Sequence, residues 1–524
     1  MQHPFQCIAS VQLPGQATGE EYLAAACGPR LMLVNAGKGI VAARWSTSPT
    51  NATSEDKYDE AEAGERPAKK QKTSNAASHA PNIIKLTVSP NQQYIVAVTD
   101  DKFIHVLEIV GHGELKELSQ RCMPKRPCAI QVLPDNATII CGDKFGDVYS
   151  LPLLPSEVAP IQDVEPGAED GEAAKQEDPA FKPSATVLTV HSKRNRMALE
   201  AQMQQKNFTA KKEPLKFEHK LLLGHVSMLT DVIYATREVE GKQRGHIITA
   251  DRDEHIRISR APPQSHIIEG YCLGHTEFVS KLCLIPGTDL LVSGGGDSWL
   301  GVWDWPTFKL RRKFDIRDAV LDVVEEVAQR ADMDTTEAIK QADKSVVVSG
   351  LWTAPFTNAK GKQEIALLVA CERRPSLFIV PVSRLMLKKD QKTTQSRIDY
   401  PVLDVACVGD RLIVSVDGRR DGSPCLRVAQ LHQAEETKGE VLSEKDEEME
   451  AKLQCLMTSS KDIPADDKAL DDLLYGVGNL RKRRGWDAPG DGAGGTEVDP
   501  TSMPMDPNHT EVVEVEDDLT VRKL

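Results

Sequence analysis

Apolar and polar residues alternate through most of the first 433 positions, in short runs broken by polar turns. Four stretches share one plan: an apolar run, a tight turn holding an aspartate, and a second apolar run. They are YIVAVTDDKFIHVLEI (94–109), TIICGDKFGDVYSL (138–151), HIITADRDEHIRIS (246–259) and LLVSGGGDSWLGVWD (290–304). A period of two around a polar turn predicts half-buried strands paired as hairpins. Laid over one another, the four bring Asp101, Asp143, Asp253 and Asp297 into one column. Three residues on stand Ile104, Gly146, Ile256 and Leu300, and two further on Val106, Val148, Ile258 and Val302. The same rhythm returns at 21–45, 364–382, 404–417 and 424–431.

Gly224-His225 and Gly274-His275 precede two of these hairpins, and the last hairpin ends in Trp303-Asp304. The column recurs at spacings of 42 (Asp101 to Asp143) and 44 (Asp253 to Asp297). Gly-His followed by Trp-Asp at that period is the signature of a WD-repeat blade. The fold expected is all-β, a seven-bladed WD-repeat β-propeller over residues 1–433. The strand around Phe5–Leu13 is expected to pair with the last blade and close the ring, which removes exposed sheet edges. Within a blade, His275 can bond Asp297, with Ser293 and Trp303 completing a polar relay. His225 and Asp253 are the matching pair one repeat earlier, where Ser259 replaces the Trp. A buried polar network must be fully satisfied to be stable, and then it fixes the turn geometry. These residues are therefore read as structural, not catalytic.

Four stretches break the rhythm. Residues 46–80 are polar and poor in large apolar residues, so they read as a disordered loop. Within them RPAKKQK (66–72) resembles a short basic nuclear-import signal; a nuclear location is expected, with the cytoplasm also open. Residues 155–190 carry 8 acidic and 2 basic residues, whereas 191–220 carry 3 acidic and 8 basic, with Asn195–Lys206 reading as helical. Residues 317–343 place Val320, Val323, Val324 and Val327 at helical spacing. Beyond 434 the chain holds 23 acidic against 11 basic residues, a net of −12. The whole-chain charge of −14 thus leaves about −2 on the first 433 residues, so the body is free to present a basic face. This acidic tail (434–524) is expected to be largely disordered, with a short motif at 466–486.

Chemistry-bearing motifs are scarce. The eleven cysteines form no CxxC pair or Cys/His cluster, and most lie in apolar runs, as expected of reduced core thiols. No metal site is expected. No run approaches the ~18 apolar residues a membrane span needs, and MQHPFQCIASVQLPGQ does not read as a secretory signal. Nucleophile-elbow, P-loop and zincin motifs are absent from the sequence. Gly294–Gly296 lies in a blade turn before a strand, not a helix, so it lacks the N-terminus a phosphate site would use. No βαβ unit for a methyl donor or dinucleotide is visible.

One stretch is more specific than the repeat. The segments ADRDEHIRIS (250–259), LGHTEFVS (273–280) and LLVSGGGD (290–297), with DKFGDVYSL (143–151) and LYGVGNLRKRRG (474–485), closely resemble the non-catalytic WD-repeat subunit of the eukaryotic tRNA (guanine-N7)-methyltransferase, in its fungal form. The resemblance implies a heterodimer with a catalytic methyltransferase subunit. That partner would hold S-adenosylmethionine, and this chain no cofactor. The pair would form N7-methylguanosine in the variable loop of tRNA, with the propeller stabilising the partner and helping to hold the tRNA. It also implies that Arg257 grips the partner, beside Asp251, Arg252 and Glu254 of the same turn. From the alternation alone Arg257 points away from the apolar face; a solvated residue, or an ion pair with Asp251 or Glu254, reads as well. For RNA, Lys193, Arg194, Arg196, Lys211, Lys212 and Lys216 are candidate phosphate contacts. The alternative is a solvated loop offsetting the acidic 155–190. Lys144 and Arg481, Lys482, Arg483 and Arg484 are further candidates. A propeller signature does not fix function; a substrate receptor of a cullin-type ubiquitin ligase, or a general assembly hub, is the other reading.

Overall fold

A computed structural model describes residues 3–13, 21–47, 80–155, 217–330, 333–343, 346–387, 394–419, 422–433, 441–460, 463 and 466–482. Among them the strands form seven four-stranded antiparallel units. Five stand alone; two are joined by the single parallel pair Thr357 and His432. In chain order the units, or blades, span 7–46, 83–122, 127–224, 229–272, 279–315, 348–397 and 402–445. The first strand of each blade packs against the first strands of its two neighbours, and that of the last blade against Cys7–Gln12, so the ring closes.

Each seam between blades is an apolar cluster drawn from alternate strand positions, such as Ile248, Ile258 and Trp303 between the fourth and fifth. Side chains also stitch the innermost strands directly. The Tyr234 amide donates to Gln131 Oε1 (2.7 Å), the Leu282 amide to Asp231 (2.9 Å) and the Ile8 amide to Asp404 (2.8 Å). An inner-strand amide that faces the next blade has no ladder partner there, and these side chains satisfy it.

Three expectations need correction. The N-terminal strand does not pair with the last blade. Cys7–Gln12 pairs with Glu21–Cys27 in its own blade, because Leu442–Lys445 already fills the outer place of the seventh. Second, much of the acidic tail is folded: one compact unit runs to Arg481. The helix Glu447–Ser460 buries Met449, Leu453 and Leu456 in the seam between the last blade and the first. Their spacing of four and three is an amphipathic stripe, which a charge count over ninety residues hides. Third, residues 317–343 form two helices, Arg317–Arg330 and Thr335–Asp343. The first buries Val320, Val323, Val324 and Ala328 and leaves Val327 exposed. The segment 156–216, which lies outside the described residues with all six of its RNA candidates, joins the third and fourth strands of the third blade. Residues 48–79, Arg483 and Arg484 also lie outside them.

Candidate interaction site on the fourth blade

Register decides which residues are equivalent. In the fifth blade Ser293 pairs with Gly301, in the fourth Thr249 with Arg257, and in the third Gly142 with Val148. Asp143 and Asp251 therefore open their five-residue turns, whereas Asp253 and Asp297 sit two places later. The aspartate column read from the sequence mixes these two positions.

In the fifth blade the relay is continuous. His275 Nδ1 lies 2.8 Å from Asp297 and its Nε2 2.7 Å from the Ser293 hydroxyl, which accepts the Trp303 indole N–H at 2.7 Å. The chain runs one way if the hydroxyl donates to Nε2 and Nδ1–H donates to the carboxylate, so the partners assign the tautomer. Asp297 also accepts the Thr276 amide (3.1 Å) and hydroxyl. Burial pushes the Asp297 carboxyl up, but the bonds from His275 and Thr276 outweigh it and hold it below the usual carboxylate range. The indole folds over Gly301, where a Cβ would stand 2.5 Å from Nε1. His275 stacks on Trp299 at 4.5 Å.

In the fourth blade the carboxylate facing His225 is Asp251 (3.2 Å), not the Asp253 expected; Thr249 holds the other ring nitrogen at 2.8 Å. The reason is steric. At the matching first turn position of the fifth blade, a Cβ on Gly295 would lie 1.8 Å from the Phe278 carbonyl oxygen, so that blade must take its acid from Asp297. Asp251 has room, and it also accepts the amides of Asp253 (2.9 Å) and His255 (3.1 Å), which shapes the turn. Burial again works against its charge, and the bonds from His225 and the His255 amide bring it below the usual range.

Arg257 is only 9% exposed. Nε donates to the Ser259 hydroxyl (2.9 Å) and Nη1 to the Gly224 carbonyl (3.0 Å). The expected outward-pointing side chain is therefore folded inward, bonded to Ser259 of its own blade and to Gly224 at the end of the third, and it is not paired with Asp251 or Glu254. Burial lowers its pKa, offset in part by Tyr271 beside it. Arg252 is engaged too: its Nε donates to the Leu480 carbonyl (2.8 Å), within the docked tail. Glu254 takes a left-handed backbone, φ 73°, at the turn.

That tail segment is a strap. Glu372 accepts the amides of Gly476, Val477 and Gly478, each at 2.8 Å; the Tyr475 hydroxyl donates to Asp417 (2.6 Å); and Arg419 pairs with Asp471. Arg481 donates to the carbonyls of Gly296 (2.8 Å) and Val346 (3.0 Å) and pairs with Glu277. Arg481 is thus tied into the propeller.

What the turn does present is apolar. Val226 is fully exposed, Leu273 is 61% and Tyr271 41% exposed, and Tyr271 stands opposite Arg257 and against His255 (6.3 Å between rings). Tyr271 and Leu273 lie in and just after the outer strand Ile268–Cys272, and Val226 in the connection from the third blade, next to His225. Exposed apolar residues beside a charged turn mark a protein contact surface. None of the three stood out in the sequence, since an apolar residue at a strand end reads as core. Lys144 lies elsewhere, in the turn of the third blade next to Arg126.

A family model described as the tRNA methyltransferase TRM82 WD40 domain matches residues 23–438. Similar proteins named tRNA (guanine-N(7)-)-methyltransferase non-catalytic subunit TRM82 occur in several fungi. That of Phaeosphaeria nodorum is 39% identical over 501 residues, covering 93% of this chain and 99% of its own length. Those of Aspergillus fumigatus (38%; 92% and 98%) and Coccidioides immitis (37%; 88% and 95%) are alike.

Proposed function

The chain belongs to the tRNA methyltransferase TRM82 WD40 domain family, and we propose from this that it is the non-catalytic subunit of a tRNA (guanine-N7)-methyltransferase. The observation that carries the reading is its end-to-end likeness to proteins named as that subunit. The same likeness favours it over a ubiquitin-ligase receptor. The work of such a subunit is binding. A catalytic partner, holding S-adenosylmethionine, docks on the fourth blade in a heterodimer. Val226, Tyr271 and Leu273 supply the apolar contact, and the Asp251–Arg257 turn supplies its charged border. Arg257 then acts mainly by holding the outer strand and Gly224 in place, with the edge of its guanidinium turned toward the partner. The tRNA is shared between the two subunits, with the basic run 191–216 as this chain's contribution; residues 66–72 direct the chain to the nucleus.

Co-expression of the tagged full chain with the methyltransferase tests this. The wild type is expected to retain the methyltransferase in equal amount and to support N7-methylguanosine formation in tRNA. Tyr271→Glu with Leu273→Glu, both on the surface, is expected to lose capture while unfolding at the wild-type temperature. Capture that survives this double change removes the docking site from the fourth blade. A wild-type chain that retains no methyltransferase overturns the function itself.

A further inference from the structure

The innermost strands surround a central channel, and one cavity of about 480 Å³ lies at its mouth, partly roofed by the strap residues Leu474–Val477. Lys85 and Lys281 line it from the second and fifth blades, and the charge of Lys85, with burial, holds the Lys281 pKa down. Two carboxylates balance this pair. Asp404 accepts the amides of Ile8 and Val405 (both 2.8 Å) and the Trp352 indole (3.2 Å); Asp231 accepts those of Leu282 (2.9 Å) and Val232 (3.1 Å).

The rim is not balanced in this way. The backbones of Arg126 and Lys144 are joined, the Lys144 amide donating to the Arg126 carbonyl at 3.2 Å, and the Arg126 charge is felt at the exposed Lys144 amine, whose pKa is lowered first by partial burial and then by that charge. Neither forms an ion pair among the described residues, and Arg126 Nε is buried with no hydrogen-bond partner among them. Asp100, whose charge is felt at Arg126, is bonded to the Asn82 amide and side chain (both 3.1 Å). Glu372, on the far rim, is occupied by the three strap amides. An anion that meets the buried Arg126 donor and bridges the two like charges relieves both costs.

We propose that Arg126, Lys144 and Lys85 form a receptor for a small phosphorylated anion of the pyrophosphate class at the channel mouth. A guanidinium and two ammonium groups match a polyanion with several oxygens on one side. The recess beneath the strap admits such an ion, whereas the phosphates of an RNA helix stay outside it. The three cations come from the second blade and from the start and turn of the third, and the proposal does not rest on the tRNA methyltransferase reading.

Isothermal titration of the full chain with pyrophosphate, at constant ionic strength, tests it. One saturable site is expected, with a matching rise in unfolding temperature, since a ligand bound only by the folded state stabilises it. Arg126→Gln and Lys144→Gln are each expected to weaken binding roughly tenfold or more, as loss of a charge-assisted bond does. Both lie at the rim, and the unfolding temperature of each variant without ligand reports whether it folds. Absence of saturable heat overturns the proposal. So does binding that the double variant keeps, or a requirement for both cations in tRNA capture without any response to pyrophosphate.

Discussion

The fourth and fifth blades solve one packing problem in opposite ways. In the fifth, position 303 supplies a long side chain, the Trp303 indole, which folds back over a glycine at 301. In the fourth, the equivalent of 301 is Arg257, which folds forward over Ser259, the equivalent of 303. Residues two apart on a strand share a face, so the slot takes one long side chain from either position but not from both. The exchange puts a guanidinium where the other blade has an indole. It ties the Gly224 carbonyl, at the end of the third blade, to a cation whose strand neighbour is the exposed Tyr271.

The largest effect is expected in the fifth blade. Trp303→Ala should destabilise by about 3–5 kcal/mol, the usual cost of emptying a buried aromatic site. Ser259→Ala, which removes only the acceptor of the Arg257 Nε, should cost about 1–3 kcal/mol. Urea unfolding midpoints compare them, and equal losses would mean that the two slots are not equivalent. A sharper test exchanges the pair within the fourth blade. Arg257→Gly and Ser259→Trp should each destabilise alone, while the double variant regains part of the loss, with a coupling of about 0.5–3 kcal/mol. Simple additivity would show that no slot is shared.

The smallest effect concerns acid. Asp251 and Asp297 are both held below the usual carboxylate range, despite burial, by their histidines and nearby donors. A carboxyl with a folded pKa below its unfolded value of about 3.9 binds more protons when unfolded. Its contribution is therefore present at neutral pH and fades as pH falls below about 4. Asp297→Asn and Asp251→Asn should each flatten the fall of unfolding free energy with pH in that window. An unchanged slope would show that the two relays are not carboxylate-anchored.

Much of the architecture was legible because it repeats. Period-two runs, the Gly-His and Trp-Asp pairs and their spacing located the relay of His275, Asp297, Ser293 and Trp303 and a hairpin in each of the seven blades. The fourth-blade acid was misread because two aspartates flank Arg252, and only the folded turn shows that His225 faces Asp251. Arg257 was misread because alternation says which side of a sheet a residue takes, not whether another element covers that side. The helix Glu447–Ser460 was hidden by the acidic composition around it, although it keeps a few well-spaced apolar residues, whereas the strap falls within the motif singled out at 466–486.

By itself the sequence determined what depends on neighbours along the chain: strand rhythm, turn chemistry, the kind of polar relay and the family. Tertiary structure alone decided what depends on which surfaces meet. It placed the last described turns of the tail across the channel mouth, turned Arg257 inward, and held Arg126 beside Lys144. The physical reason is that a side chain's charge and shape are local, whereas its burial and its partners are set by segments tens to hundreds of residues away, as Arg252 and Leu480 are.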